Sequence, residues 1–208
     1  MADYHRDTTP NLNKISNRPG GSWHPNCFAH ANQTRVSVPS MLTGAYPTHH
    51  TVQRDRSIPE ELSTIPERLS DLNYKTIGIS RNANSYMGFE RGFDEFQWIS
   101  ASTFTDAVDY WTAIKYALNI RRHSAGFSTD SAKHATPFII NDMAKRRIRS
   151  HEKSDRPLFM YLHYNEPHRP YFPPLPWLDT YTDEISLSTE EAAEVALDMH
   201  YNVDEHIA

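Results

Sequence analysis

Three residues stand where their side chains could do chemistry on an anion: Thr34, Arg81 and His168. Thr34 precedes Ser37–Thr43, a stretch with apolar residues at helical spacing that Gly44 brings to a stop. A threonine ahead of a helix either caps it or, if its hydroxyl is activated, acts where free backbone N–H groups and the positive end of the dipole would hold a sulfate or phosphate oxygen. A hydroxyl is a poor nucleophile at neutral pH unless a metal lowers its pKa. His168 lies in a proline-rich loop beyond an apolar run. There an imidazole can give a proton or a charge-assisted hydrogen bond to an anionic group, or simply face water. Arg81 follows a second apolar run, and its cation suits an anionic substrate equally well as it suits an ordinary loop. His49 and His50 follow the Gly44 stop and read as structural or solvent-facing.

These positions depend on a set of alternating elements. The first ~33 residues carry Pro, Asn, Gly and Ser in clusters and read as loop, with one helical turn after Thr9-Pro10. Thr64-Ile65-Pro66-Glu67 is a capping box that opens a short helix, with Ile65, Leu69 and Leu72 on a common face. Lys75–Ser80 is a β-branched run predicted to be a buried strand. Residues 81–128 are aromatic-rich and irregular, and Gly88, Gly92 and Phe93-Asp94-Glu95-Phe96 suggest loops around a short strand. The segment from about Asp130 to Ser150 is helical, with Ile139, Ile140, Met143 and Ile148 on one side. Leu158–Tyr164 is the best strand, and prolines 167, 170, 173, 174 and 176 follow it. A second capping box, Ser188-Thr189-Glu190-Glu191, opens a helix with Ala192, Val195, Met199 and Val203 on one stripe.

Strands separated by helices predict an α/β sandwich with a largely parallel sheet. Only two or three strands are convincing, which suggests an incomplete sheet. The chain has 208 residues, enough for one domain with a real core. Its 21 basic and 26 acidic residues give a net charge of −5, which argues against a general nucleic-acid surface. The basic run Lys145–Arg149 reads as a solvated helix face. The single cysteine, Cys27, excludes an internal disulfide framework and a cysteine-based zinc cluster. No apolar stretch is long enough to span a membrane. No apolar core of a signal peptide follows Met1, so the expected location is cytoplasmic if Met1 is the true start and otherwise unknown.

Five elements in order resemble the sulfatase family of the alkaline phosphatase superfamily. They are Thr8-Thr9-Pro10-Asn11-Leu12; Thr34 to Pro47, with Leu42-Thr43-Gly44, Tyr46-Pro47 and then His49-His50; Thr64–Leu69 with Tyr74-Lys75-Thr76; Arg91-Gly92-Phe93-Asp94-Glu95-Phe96; and Glu166-Pro167-His168-Arg169-Pro170. The resemblance implies an alkaline phosphatase-like α/β/α sandwich and hydrolysis of a sulfate or phosphate ester. It implies a divalent cation (Ca, Mg, Mn or Zn) in the complete protein, with Thr34 as nucleophile and metal ligand. By the same resemblance His168 assists the leaving group, and Arg81 falls where sulfatases usually carry a substrate-binding lysine.

The departures bear on the chemistry. The nucleophile position holds Thr34 rather than the Cys or Ser that sulfatases convert to formylglycine, and Val38 stands where the family's arginine would be. Phosphoethanolamine transferases of the superfamily use a threonine nucleophile in a similar stretch, which keeps a transferase as an alternative. The family's aspartate pair on a first strand, and its Asp-His or Asp-Asn pair on a later one, find no counterpart here. The expectation is therefore a partial catalytic domain over 1–208 that by itself does not hold the metal. A non-catalytic remnant that at most binds an anion is the third reading.

Overall fold

The computed structural model describes residues 7–52, 57–81, 88–100, 108–124, 134, 136–166, 172–178 and 180. Three strands, β1 (Lys75–Ser80), β2 (Glu95–Trp98) and β3 (Leu158–His163), form a parallel sheet in the order β2-β1-β3. Lys75 pairs with Leu158 and Ser80 with His163 on one side; Ile77 pairs with Glu95 and Ser80 with Trp98 on the other. Parallel neighbours need long crossovers, and that between β2 and β3 carries the helices described below. The central strand is the most buried, with Thr76 to Ser80 all inaccessible.

Side chains alternate across the sheet, so each face builds its own core. On one face Ile77 and Ile79 of β1, with Leu158, Met160 and Leu162 of β3, pack against Ile139, Ile140, Met143 and Ala144. Those four belong to α7 (Pro137–His151), which has proline at its first position. On the other face Trp98 and Tyr161 pack against a second cluster, Val38, Leu42, Val52, Ile58 and Phe89. Helices on both faces of a parallel sheet make an α/β/α layering, as expected from the alternation of elements.

The second face is covered by α2 (Thr34–Thr43), α3 (Pro47–His50) and α4 (Ile65–Asp71). The Thr64-Glu67 capping box forms as the sequence predicts. The expected apolar stripe of α4 does not: Leu72 is 69% exposed and Ile65 40%, while Pro66 is buried. The helix ends at Asp71, so Leu72 lies beyond its last turn and the helical spacing no longer governs where it points. In α7 the stripe holds for Ile139, Ile140 and Met143, but Ile148 is 47% exposed.

Residues 81–128 are more regular than the composition suggests. They contain α5 (Tyr110–Leu118) and α6 (Ile120–His123) besides β2. Asp109 caps α5, accepting from the Trp111 and Thr112 amides. A polar cluster then ties α5 to α7: the buried Thr112 hydroxyl lies 2.6 Å from Asp142, which also accepts from Lys115 at 3.1 Å and Arg146 at 2.8 Å. Arg146, from the basic run taken as solvated, also pairs with Asp109 at 3.3 Å. The N-terminal turn is a seven-residue helix, α1 (Pro10–Ser16), with no buried residue. Among the described residues of the proline-rich stretch, Leu175–Trp177 forms a 3-10 turn. The helix expected after Ser188 lies outside the described residues.

Arg91-Gly92-Phe93-Asp94-Glu95-Phe96 is a structural knot. The Arg91 guanidinium donates to the carbonyls of Ile58, Pro59 and Leu62 and lies 2.9 Å from Glu67. The Thr64 hydroxyl reaches the Arg91 carbonyl at 3.2 Å. The Thr76 hydroxyl donates to the Gly92 carbonyl at 3.1 Å and accepts from the Asp94 amide at 2.8 Å. The segment thereby bolts α4 and its preceding loop to β1. Phe93 and Phe96 then meet at 5.0 Å across the sheet face.

Candidate functional site

Helix α2 begins at Thr34, three residues earlier than the apolar spacing predicts, so Thr34 is the first helical residue and Gln33 the cap. Thr34 is therefore not the cap residue; Gln33 is, and its side chain makes no cap hydrogen bond. Val36 and Ser37 donate to the Gln33 carbonyl at 3.1 and 2.9 Å. The Thr34 and Arg35 amides lie ahead of that ladder, at the positive end of the helix. Arg35 turns back to Gln33, its Nε 2.8 Å from Oε1. Gly44 ends α2 in the left-handed region at φ 76°, its amide bonded to Ser40 O. The stretch from Thr34 to Thr43 is therefore one helix, and Gly44 caps it. Val38, at the family's arginine position, is 4% exposed and packs with Leu42 and Val52, so this departure is a core residue that does not face an anion.

Proline at position 39 lies inside α2 and removes one intrahelical donor. The histidine pair splits. His49 is exposed, whereas His50 is fully buried, with Nε2 3.0 Å from Ser40 Oγ and Nδ1 accepting from the Val52 amide at 3.0 Å. Burial lowers its pKa, partly opposed by a hydrogen bond to the Val36 carbonyl, while His30 and His49 add to the lowering.

The carboxyl ends of parallel strands are where open α/β sheets keep ligands. Ser80, Trp98 and His163 lie there side by side. Arg81 follows Ser80, half-buried, its amide donating to the His163 carbonyl at 3.3 Å. Tyr161 and His163 share the face covered by α2, with the tyrosine hydroxyl 2.7 Å from Nδ1. Burial pushes the Tyr161 phenol up to about 12 and lowers His163. A protonated phenol donating to a neutral ring leaves the histidine proton on Nε2. The sequence reading passed over this pair; its only signal was the period of two in Leu158–Tyr164, which puts Tyr161 and His163 on one face.

Past β3, Glu166 accepts from the Thr136 amide and hydroxyl, each at 2.9 Å. The carboxylate thus anchors the start of the proline-rich loop to the beginning of α7 and complements its dipole. His168 lies outside the described residues. The structure sets Arg81 beside His163; no hydrogen bond joins Thr34 to Arg81 among the described residues. Nor do three or more His, Cys, Asp or Glu residues converge among them in a metal-binding group. The described residues alone therefore do not make a cage for a divalent cation, which needs several ligands. No described helix is long and apolar enough to cross a membrane.

A search of curated proteins gives no significant match. Among solved structures, phosphonate monoester hydrolase of Agrobacterium radiobacter is similar at 17% identity and a TM-score of 0.49, over 72% of this chain and 34% of that one. Ps i-CgsB in complex with k-i-k-neocarrahexaose is similar at 19% identity and a TM-score of 0.41, over 68% of this chain and 36% of that one. The chain thus spans about a third of the length of either. The family model described as Sulfatase matches residues 1–208, the whole of the sequence, and the chain belongs to the sulfatase family.

Proposed function

We propose that this chain carries the nucleophile side of a sulfatase-type site that cleaves a sulfate or phosphate ester, with Thr34 as the attacking group. The observation that carries the reading is the position of Thr34, first residue of the helix that ends in Leu42-Thr43-Gly44, with the leading amides beside it. Those amides and the helix dipole suit the oxygens of a bound anion. The Thr34 oxygen bonds to sulfur or phosphorus as the ester bond to the leaving oxygen breaks. The leaving oxygen takes a proton from His168, the threonine hydroxyl releases its own to solvent, and His168 regains one from solvent, so protons balance over the turnover. Water then cleaves the Thr34 ester and restores the hydroxyl. Arg81 is assigned to hold the charged end of the substrate.

Sulfatases generally use a divalent cation, which supplies Lewis acidity to lower the nucleophile's pKa. Since the described residues do not make its cage, no step above runs through it. Turnover of an aryl sulfate and of a phosphate diester by the full-length protein is the test, with Thr34→Ala beside it. Loss of ~1,000-fold or more is expected when the nucleophile is removed. Equal rates would take Thr34 out of the mechanism.

A further inference from the structure

We propose that His50 is the positioning residue that holds the first turn of α2, and with it Thr34, where Pro39 leaves the helix one backbone hydrogen bond short. The catalytic meaning of this clamp rests on the function proposed above; the clamp itself does not.

Pro39 has no amide to give to the Arg35 carbonyl, and its ring crowds that carbonyl. The first turn, Thr34–Ser37, is therefore joined to the rest of α2 by fewer hydrogen bonds than an unbroken helix provides. A directed chain of polar contacts runs across the gap. The Val52 amide can only donate, so His50 Nδ1 must accept and the ring proton sits on Nε2. That proton is directed at Ser40 Oγ, 3.0 Å away on the far side of the proline. The Ser40 hydroxyl passes the chain on to the Val36 carbonyl in the first turn, at 3.4 Å. Both Ser40 and His50 are shut off from solvent, so water cannot stand in for either.

The chain works in one protonation state. A doubly protonated ring would set an Nδ1 proton against the Val52 amide, donor against donor. Burial disfavours that charge, and only the Val36 carbonyl works the other way. His30 and His49 oppose it, α2 presents the uncharged Ser40 and the Val36 carbonyl, and the neighbouring Val52, Ile58 and Phe89 are apolar. Folded His50 therefore resists protonation more than the unfolded chain does. The clamp's contribution to stability is full above the ordinary histidine pKa of about 6.5 and declines as pH falls below it.

The test is amide hydrogen exchange of this chain from pH 7.5 to 5, corrected for intrinsic exchange, on the parent, His50→Gln and Ser40→Ala. In the parent, protection of the residue 36–38 amides is expected to drop roughly tenfold towards pH 5 while β1 and β3 keep theirs. His50→Gln still offers an N–H to Ser40 but cannot titrate, so its protection should stay nearly level with pH. Ser40→Ala should show the loosened first turn already at pH 7.5. Parent protection that does not change with pH, an unchanged pH dependence in His50→Gln, or loss spread equally over β1 and β3 would each overturn the clamp. If Ser40→Ala does not fold, the other two proteins still decide. Exchange requires no turnover, so a Thr34→Ala variant as active as the parent would sink the proposed function and leave this result standing.

Discussion

Alanine at Gly92 and alanine at Gly44 subject the same backbone demand to two different surroundings. Both glycines sit at positive φ, 85° and 76°. A Cβ at Gly44 would meet nothing within 4 Å, so the cost there is conformational, about 1–2 kcal/mol. A Cβ at Gly92 would lie 2.4 Å from the Glu67 backbone nitrogen and 2.5 Å from its Cγ. The Glu67 amide is the one that Thr64 caps, and the Glu67 carboxylate pairs with Arg91 at 2.9 Å. Relief of the clash must move the start of α4 away from the knot, which gives up the capping box, worth ~1 kcal/mol. The half-buried Arg91–Glu67 pair goes with it, worth no more than ~1 kcal/mol after solvent screening. Gly92→Ala should therefore cost about 2–4 kcal/mol against about 1–2 for Gly44→Ala. In a chain of this size that separates the two by roughly 5 °C in thermal midpoint. Urea unfolding followed by circular dichroism gives the same comparison isothermally. Equal losses in the two variants would refute the view that contact with α4, and not φ alone, makes glycine necessary at 92.

Gly78→Ala should also destabilise, by about 1–3 kcal/mol, because a Cβ there would lie 2.3 Å from the Phe96 ring; Phe96→Leu in the same chain should recover part of the loss in a urea titration. Burial alone would raise the pKa of Asp142, but hydrogen bonds from Thr112, Arg146 and Lys115, with the charge of Arg146, hold it far below the usual carboxylate range. Its folded pKa is depressed, so its contribution is present above the unfolded value of about 3.9 and is lost as pH falls below that. Asp142→Asn should lower the urea midpoint at pH 7 and flatten its acid decline below about pH 4; a decline as steep as the parent's would remove Asp142 from the acid response. Among the described residues the sheet has three strands and large apolar side chains lie exposed, among them Leu118 at 80% and Trp111 at 63%. Calorimetry of the 208-residue chain should accordingly show a weak transition; a sharp cooperative one above ~60 °C would contradict this.

Local chemistry was enough to read several elements from the chain alone. The β-branched run at Lys75–Ser80, the apolar run from Leu158, the Thr64-Glu67 box and the Gly44 stop all announce themselves within a few residues, because their causes are local: side-chain branching, a cap and a left-handed turn. The ordered motifs likewise identified the family, which the match over residues 1–208 bears out. Other features depended on what lies across space. His49 and His50 are identical neighbours in sequence, yet only the second is enclosed, by Ser40 and Val52. Arg91 and Gly92 look like a loop until Ile58, Glu67 and Thr76 are placed around them. Helix α5 escaped the sequence reading because its aromatic residues obscure the spacing, and the Asp142 cluster that secures it comes from 30 residues further on. Thr34 was legible as a candidate, but its place inside α2 was set by the burial of Val38, Pro39, Ser40 and Leu42 against the sheet face. Propensity and turn chemistry act within a turn or two of chain, whereas burial and polar pairing are settled only when distant segments meet.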